Sequence, residues 1–254
     1  IEEWMDWIDY AKQLCEPHRL AAKMMIISSL KRIYDRIPSD SDLVSILLPE
    51  LKGKKEDDPQ LNSFKVNLCM QILALLVELT EDFAAICFAY YKARNDGKVP
   101  KYLRDFGRDK RKPELGHPDI FYDKAEKSYS FVADMIGKDP INDIDEVRKI
   151  QRHLIEIGRF RKDFKEWYIS YKHGQRVSSM SVFDKPTGEH YWGLLRIPLI
   201  FDERGNKIII RISDLIRPYE MVDEWVKKAS LINELYHQVR KTWHEERKIF
   251  EMGI

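Results

Sequence analysis

The sequence lacks most of the short patterns that identify a particular chemistry. It contains no Gly-rich phosphate loop and no Gly-x-Ser-x-Gly nucleophile motif. Its three cysteines lie far apart and form no Cys-x-x-Cys pair. An odd, unpatterned count of cysteines argues against both a disulfide framework and a zinc site. We therefore expect reduced thiols, no metal, no cofactor and a cytoplasmic location.

The sequence also lacks an excess of charge of either sign. It has 43 Lys and Arg residues against 42 Asp and Glu residues, a formal net charge of +1. Proteins that bind nucleic acid usually carry a basic excess or a basic stripe. Any contact with nucleic acid is therefore expected to be local.

A long hydrophobic run without charges is missing as well. The most apolar stretch, residues 68–91, is interrupted by Glu78, Glu81 and Asp82, and a charge at the centre of a bilayer costs about 2.5–3.5 kcal/mol. This stretch is predicted to be a buried central helix, so we expect no membrane span. The acidic start of the sequence, Ile1-Glu2-Glu3-Trp4, gives no indication of a secretory signal.

What the sequence does have is helical periodicity, which changes to a strand pattern only once. Helices are predicted at 1–15, 18–37, 43–48, 61–94, 118–136, 143–173 and 215–250, and strands at 177–183, 190–201 and 207–212. The fold class is therefore mainly α, an antiparallel helical bundle around the two long helices 61–94 and 143–173. A three-stranded antiparallel β-meander forms an insertion at 176–213 before the C-terminal helix. We expect a single helical domain over 1–254.

The stretch Trp167–Arg176 is the most informative local pattern, because it closes a long helix with Tyr171-Lys172-His173-Gly174. One explanation is structural: Gly174 ends the helix, while a Lys and a His favour the negative end of its dipole. The other is functional, because cations position a phosphodiester and a histidine moves protons near neutral pH. Further cations precede or follow this end: Arg161, Lys165 and Arg176.

The Tyr171-Lys172-His173-Gly174 helix end, followed by a basic residue and a strand, resembles the HEPN-type helical domains of prokaryotes. The resemblance covers the two long helices. It implies a helical bundle, often a homodimer, and in several members a metal-independent endoribonuclease of toxin–antitoxin or antiviral defence systems. Catalytic members place an Arg four to six residues before a His on the late helix, whereas the nearest Arg before His173 is Arg161.

Carried over to this chain, the resemblance implies catalytic roles for His173 and Arg161. Substrate RNA would be bound by the remaining members of the helix end: Lys172, Arg176, Lys165 and Tyr171. The competing hypothesis is a non-catalytic helical module that binds a protein partner, in which the same residues only cap a helix.

Three other features of the sequence have both a structural and a functional explanation. Glu81 and Asp82 lie within an apolar helix, so we expect them to be paired, with Arg148, Arg152 or Arg159 as partners. The functional alternative is that an acidic side chain here orients His173 or an arginine of the active site. The Glu234-x-x-His237 spacing occurs in di-iron bundles, but a surface Glu and a packed His explain it better. The basic, aromatic segment 98–112 suits single-stranded nucleic acid, although a charged surface loop explains it more simply.

Overall fold

The computed structural model describes residues 17–37, 54–55, 57–96, 117–172, 177–196 and 215–252, together with the isolated positions 46 and 49. The fold is mainly α, a helical bundle with a small antiparallel sheet inserted before the last helix, as predicted. The described elements are α1 (Pro17–Arg36), α2 (Pro59–Asp96), α3 (Pro118–Lys127), α4 (Tyr129–Ile136), α5 (Ile144–Lys172), β1 (Val177–Asp184), β2 (Glu189–Arg196), β3 (Leu215–Ile216) and α6 (Pro218–Met252). The helix predicted at 1–15, most of the one at 43–48, the strand at 207–212 and the basic segment 98–112 lie outside the described residues.

Helix α2 begins at a strong start signal and buries most of its apolar side chains. The Asp58 carboxylate accepts hydrogen bonds from the backbone N–H groups of Gln60 (2.9 Å) and Leu61 (3.4 Å). Pro59 follows, at the position where a missing N–H costs nothing. A helix that is apolar all round belongs inside a protein, and the prediction of a buried central helix is confirmed. No described helix combines the length and apolar character needed to cross a bilayer.

Helix α5 buries one stripe of side chains at three- and four-residue steps. The predicted stripe is confirmed from Val147 to Trp167. Tyr171, which continues the same spacing, is 40% exposed instead, while Tyr168 is buried. The buried side of α5 therefore turns away from Tyr171 in its last turn, and this aromatic ring remains accessible to a ligand.

The predicted helix 118–136 is wrong in one respect, because it is two helices. Ser128 adopts an extended conformation, with φ −129° and ψ 105°. Its hydroxyl accepts a hydrogen bond from the backbone N–H of Phe131 (3.1 Å), which caps α4. Serine competes for backbone groups in this way and therefore favours a cap over a helix interior.

The sheet has the order β1-β2-β3. Strands β1 and β2 pair antiparallel over eight residues, from Val177 opposite Arg196 to Asp184 opposite Glu189. The predicted start of the last helix at 215 is wrong, because β3 occupies Leu215–Ile216 and pairs with β2. Pro218 opens α6, and a residue that precedes a proline is kept out of the helical region.

The chain divides into two compact units that share its long helices. The first comprises residues 1–24, 78–163 and 228–254. Its core includes aromatic contacts of Phe121 with Tyr122 (ring centroids 5.1 Å apart) and with Phe131 (5.8 Å). The Tyr122 hydroxyl donates a hydrogen bond to the carbonyl of Thr80 at 2.8 Å, which satisfies it within the core.

The second unit comprises residues 25–77 and 164–227 and contains the whole sheet. Phe164 and Trp225 meet edge to face, with ring centroids 5.7 Å apart. The hydroxyls of Ser63 on α2 and Ser179 on β1 are 2.7 Å apart, which joins the sheet to the helix. The prediction of one domain over 1–254 stays a prediction, since the division concerns compactness and not independent folding.

Candidate functional site at the end of helix α5

The last turn of α5 presents an aromatic ring and a cation on its surface. Tyr171 and Lys172 are exposed, while Trp167 and Tyr168 of the preceding turn are buried. The Lys172 ammonium lies 5.6 Å from the centre of the Tyr168 ring, within the range of a cation–π contact. The Lys172 side chain therefore lies over an aromatic ring of the preceding turn.

The chemistry of this end follows from its position. The last carbonyls of a helix carry partial negative charge, so an anion approaches them only if a cation neutralises that charge. Lys172 supplies the cation, and the adjacent Tyr171 supplies a face on which a base can stack. The arrangement suits a single-stranded polyanion better than an isolated phosphate.

The other residues predicted for this site are placed differently. Lys165 is half-buried in the second compact unit, together with Tyr171 and Lys172. Arg161 belongs to the first unit and is buried. His173 and Arg176 lie outside the described residues, so their predicted roles stay predictions.

Arg161 is held by two carboxylates. Its guanidinium donates to Glu81 of α2 at 2.9 Å and to Asp119 of α3. Its side chain is 3% exposed, whereas those of Glu81 and Asp119 are 35% and 39% exposed. The guanidinium therefore ties α5 to α2 and α3, and its donors on both terminal nitrogens are directed at protein carboxylates.

The predicted pairing of Glu81 and Asp82 is confirmed. The partners predicted for a structural ion pair are wrong, whereas the contact of Glu81 with Arg161 is consistent with the alternative, in which an acidic residue orients an arginine of the site. Glu81 pairs with Arg161, and Asp82 pairs with Lys23 of α1 at 2.7 Å. Lys23 also lies 2.9 Å from Glu78. Helical spacing alone does not reveal that α1 and not α5 faces Asp82, because partner choice depends on how the helices cross.

A second cationic and aromatic group in the second unit was missed by the sequence interpretation. The rings of Tyr34 and Tyr219 lie 5.9 Å apart, and the Lys65 ammonium is 4.9 Å and 5.5 Å from their centres. The Tyr219 hydroxyl donates to the carbonyl of Asn62 at 3.0 Å. Burial raises the pKa of both phenols above their usual value, so neither acts as a base at neutral pH.

Cys69 and Cys87 are buried thiols, as predicted. Burial raises the pKa of Cys69 to about 12 and also raises that of Cys87. Because the thiolate is the nucleophile and the metal ligand, neither residue is poised for catalysis. Within the described ranges, no group of three or more His, Cys, Asp or Glu side chains is arranged to hold a metal ion.

Comparison with known proteins adds no relative. No protein-family model matches the chain, no curated protein is significantly similar to it in sequence, and no solved structure matches its fold. Function is therefore inferred from the residues of this chain alone.

Proposed function

We propose that the protein is HEPN-like and binds single-stranded RNA at the end of helix α5. The observation that carries this proposal is the joint exposure of Tyr171 and Lys172 in the last helical turn. A phosphate contacts the ammonium, and a neighbouring base stacks on the phenol ring. His173 follows directly in the sequence and Arg176 comes three residues later, and both would extend the same cationic surface.

Cleavage, if it accompanies binding, depends on His173. As the ribose 2′-oxygen forms a bond to phosphorus and the bond from phosphorus to the 5′-oxygen breaks, the imidazole of His173 would take the proton of the 2′-hydroxyl or give a proton to the leaving 5′-oxygen, without a metal ion. A catalytic role for Arg161 stays a prediction. Its burial between Glu81 and Asp119 supports a positioning role, in which it fixes α5 and does not touch RNA.

The proposal is tested with a labelled single-stranded RNA in EDTA, by measuring binding and cleavage by the wild type and by Lys172→Ala and His173→Ala. The control is Lys149→Ala, which removes an exposed lysine near the other end of α5. We expect Lys172→Ala to weaken binding and to reduce the salt slope by about one, as for the loss of one phosphate contact. His173→Ala abolishes any cleavage.

Two results would count against the proposal. Equal affinities for the wild type, Lys172→Ala and Lys149→Ala would remove the end of α5 as the binding site. Absence of RNA binding by the folded wild type at low salt would reject RNA as the ligand altogether.

A second candidate function is a non-catalytic module that binds another protein. It is favoured by the state of Arg161, whose terminal nitrogens both face carboxylates, so the arginine of a ribonuclease site is not presented to solvent. In this case Lys172 only offsets the helix dipole. Lys172→Ala would then lower the free energy of unfolding by about 0.5 kcal/mol. Neither the wild type nor this variant would bind RNA.

A further inference from the structure

Strand β1 forms an open edge of the sheet. The strand order is β1-β2-β3, and no strand within the described ranges adjoins the outer side of β1. In an antiparallel pair, about half of the backbone N–H and C=O groups of an edge strand point away from its partner. Over eight residues this leaves a continuous row of donors and acceptors.

Strand β1 itself lacks the features that usually protect an edge strand from pairing. Natural edge strands are short, charged, interrupted by proline or twisted away by a bulge. The seven residues Val177–Phe183 contain no charge and no proline, and their pairing with β2 proceeds without a bulge. Asp184 is the only charged residue of the strand, and Arg217 pairs with it at 2.8 Å.

Two large apolar side chains are exposed along the same strand. Met180 is 37% exposed and Phe183 is 51% exposed. The Phe183 ring lies against the ring of His190, its cross-strand partner on β2, with ring centroids 4.8 Å apart. An apolar, uncharged edge of this length favours pairing with another strand.

We propose that β1 pairs with β1 of a second copy of this chain, antiparallel, to form a six-stranded sheet. This inference is independent of RNA binding. A two-fold axis perpendicular to the sheet keeps the same face of both copies on the same side. Odd-numbered residues then lie opposite odd-numbered ones and even-numbered opposite even-numbered ones, because successive side chains alternate between faces.

The register that pairs most of the uncharged stretch places Met180 opposite its own copy. Val177 then lies opposite Phe183 of the second copy, Ser178 opposite Val182, and Ser179 opposite Ser181. Apolar side chains meet apolar ones at the centre and at both ends, and no charge faces a like charge. The strand is thus complementary to itself, which is what an isologous interface requires.

The interface is small. A strand of eight residues buries less than the roughly 800 Å² per partner of a standard stable interface. We therefore expect a reversible dimer, with a dissociation constant on the order of micromolar to tens of micromolar. Its population rises with protein concentration.

The test uses opposite charges at the proposed axis. Met180→Asp and Met180→Lys each place two like charges opposite each other, and each is expected to raise the dissociation constant at least about tenfold. An equimolar mixture of the two variants restores dimers, because Asp then faces Lys. Sedimentation velocity over a concentration series measures the fraction of dimer in each variant and in the mixture. Circular dichroism shows that each variant is folded.

Ile141→Asp serves as the control, since Ile141 is a strongly exposed apolar residue outside the sheet. It is expected to dimerise as the wild type does. A wild type that stays monomeric at the highest concentrations overturns the proposal. So does dimerisation of both charged variants at wild-type strength, or a mixture that stays monomeric while both variants are folded. A monomer whose edge binds an extended peptide identifies another occupant and equally overturns it.

Discussion

The ion-pair group around Arg161 allows a quantitative test of how charge is buried in this protein. Two sets of substitutions break the same ion pairs, one by removing the cation and the other by removing the anions. Arg161→Met removes the cation and leaves Glu81 and Asp119, whereas Glu81→Gln with Asp119→Asn removes both anions and leaves the guanidinium. The two changes differ because the carboxylates are 35% and 39% exposed while the Arg161 side chain is 3% exposed.

The expected magnitudes follow from which charge is left behind. After Arg161→Met, both carboxylates turn to water, so the free energy of unfolding falls by about 1–2 kcal/mol. After the double substitution, a buried guanidinium is left without a counter-charge, which costs about 3–5 kcal/mol. The triple variant with all three changes is expected within about 1 kcal/mol of Arg161→Met, because an apolar side chain can replace a buried cation and the two new amides stand at partly exposed positions.

The assay is urea unfolding at neutral pH, followed by circular dichroism and by tryptophan fluorescence. Two probes are needed because the chain contains two compact units that share helices. The reasoning is refuted if Arg161→Met costs as much as the double substitution or more. It is also refuted if the triple variant is the least stable of the three, since the carboxylates would then contribute apart from Arg161.

Three further predictions concern other parts of the fold. Gly158→Ala lowers the free energy of unfolding by about 1–3 kcal/mol, because its new Cβ would lie 2.8 Å from the Cβ of Tyr122. A gain in stability, which is usual for this change in a helix, would contradict the prediction. At pH 8, iodoacetamide leaves Cys69 and Cys87 unmodified in the native protein and alkylates both in urea, as peptide mass spectrometry would show. Alkylation of either cysteine in the native protein would disprove their burial. The contact with Lys54 and two backbone N–H groups lowers the pKa of Asp58. The stability advantage over Asp58→Asn is thus complete above about pH 4 and lost as pH falls through the lower folded pKa; an advantage unchanged down to pH 2 in thermal unfolding would refute this.

Much of the fold is predictable from the sequence because it depends on local spacing. The stripes of α5 and α6 follow from apolar residues at three- and four-residue steps, and Trp225, Ala229 and Ile232 are all buried as predicted. The turn between β1 and β2 follows from its Pro and Gly, and Gly188 adopts the positive φ that such a turn requires. These features need no knowledge of which elements are neighbours.

What the sequence does not reveal depends on tertiary contacts or on competition between local signals. Ser128 has a polar side chain that either faces solvent in a helix or caps a new one, and spacing does not distinguish the two. Leu215 and Ile216 fit a helix equally well by hydropathy, but pairing with β2 makes them a strand. The partners of Arg161 and Asp82 follow only from how the helices cross.

The candidate site shows the same division. The exposed cation at Lys172 follows from the end of the helix, which Gly174 marks in the sequence. The burial of Arg161 does not follow, since a charged residue is expected at the surface. One signal in the sequence does indicate this burial. By helical spacing, Arg161 lies on the apolar side of α5, close to Phe160 and Phe164.

The three acidic residues in the middle of α2 have a consequence for how the helices find one another. Glu78 and Asp82 bind Lys23 of α1, while Glu81 binds Arg161 of α5. Neighbouring acidic residues of α2 thus bind cations on two different helices. Sliding α2 by a single residue would rotate its acidic positions by about 100° and leave charges facing apolar neighbours. An apolar helix of this length fits many alignments almost equally well, and these few charges select one of them.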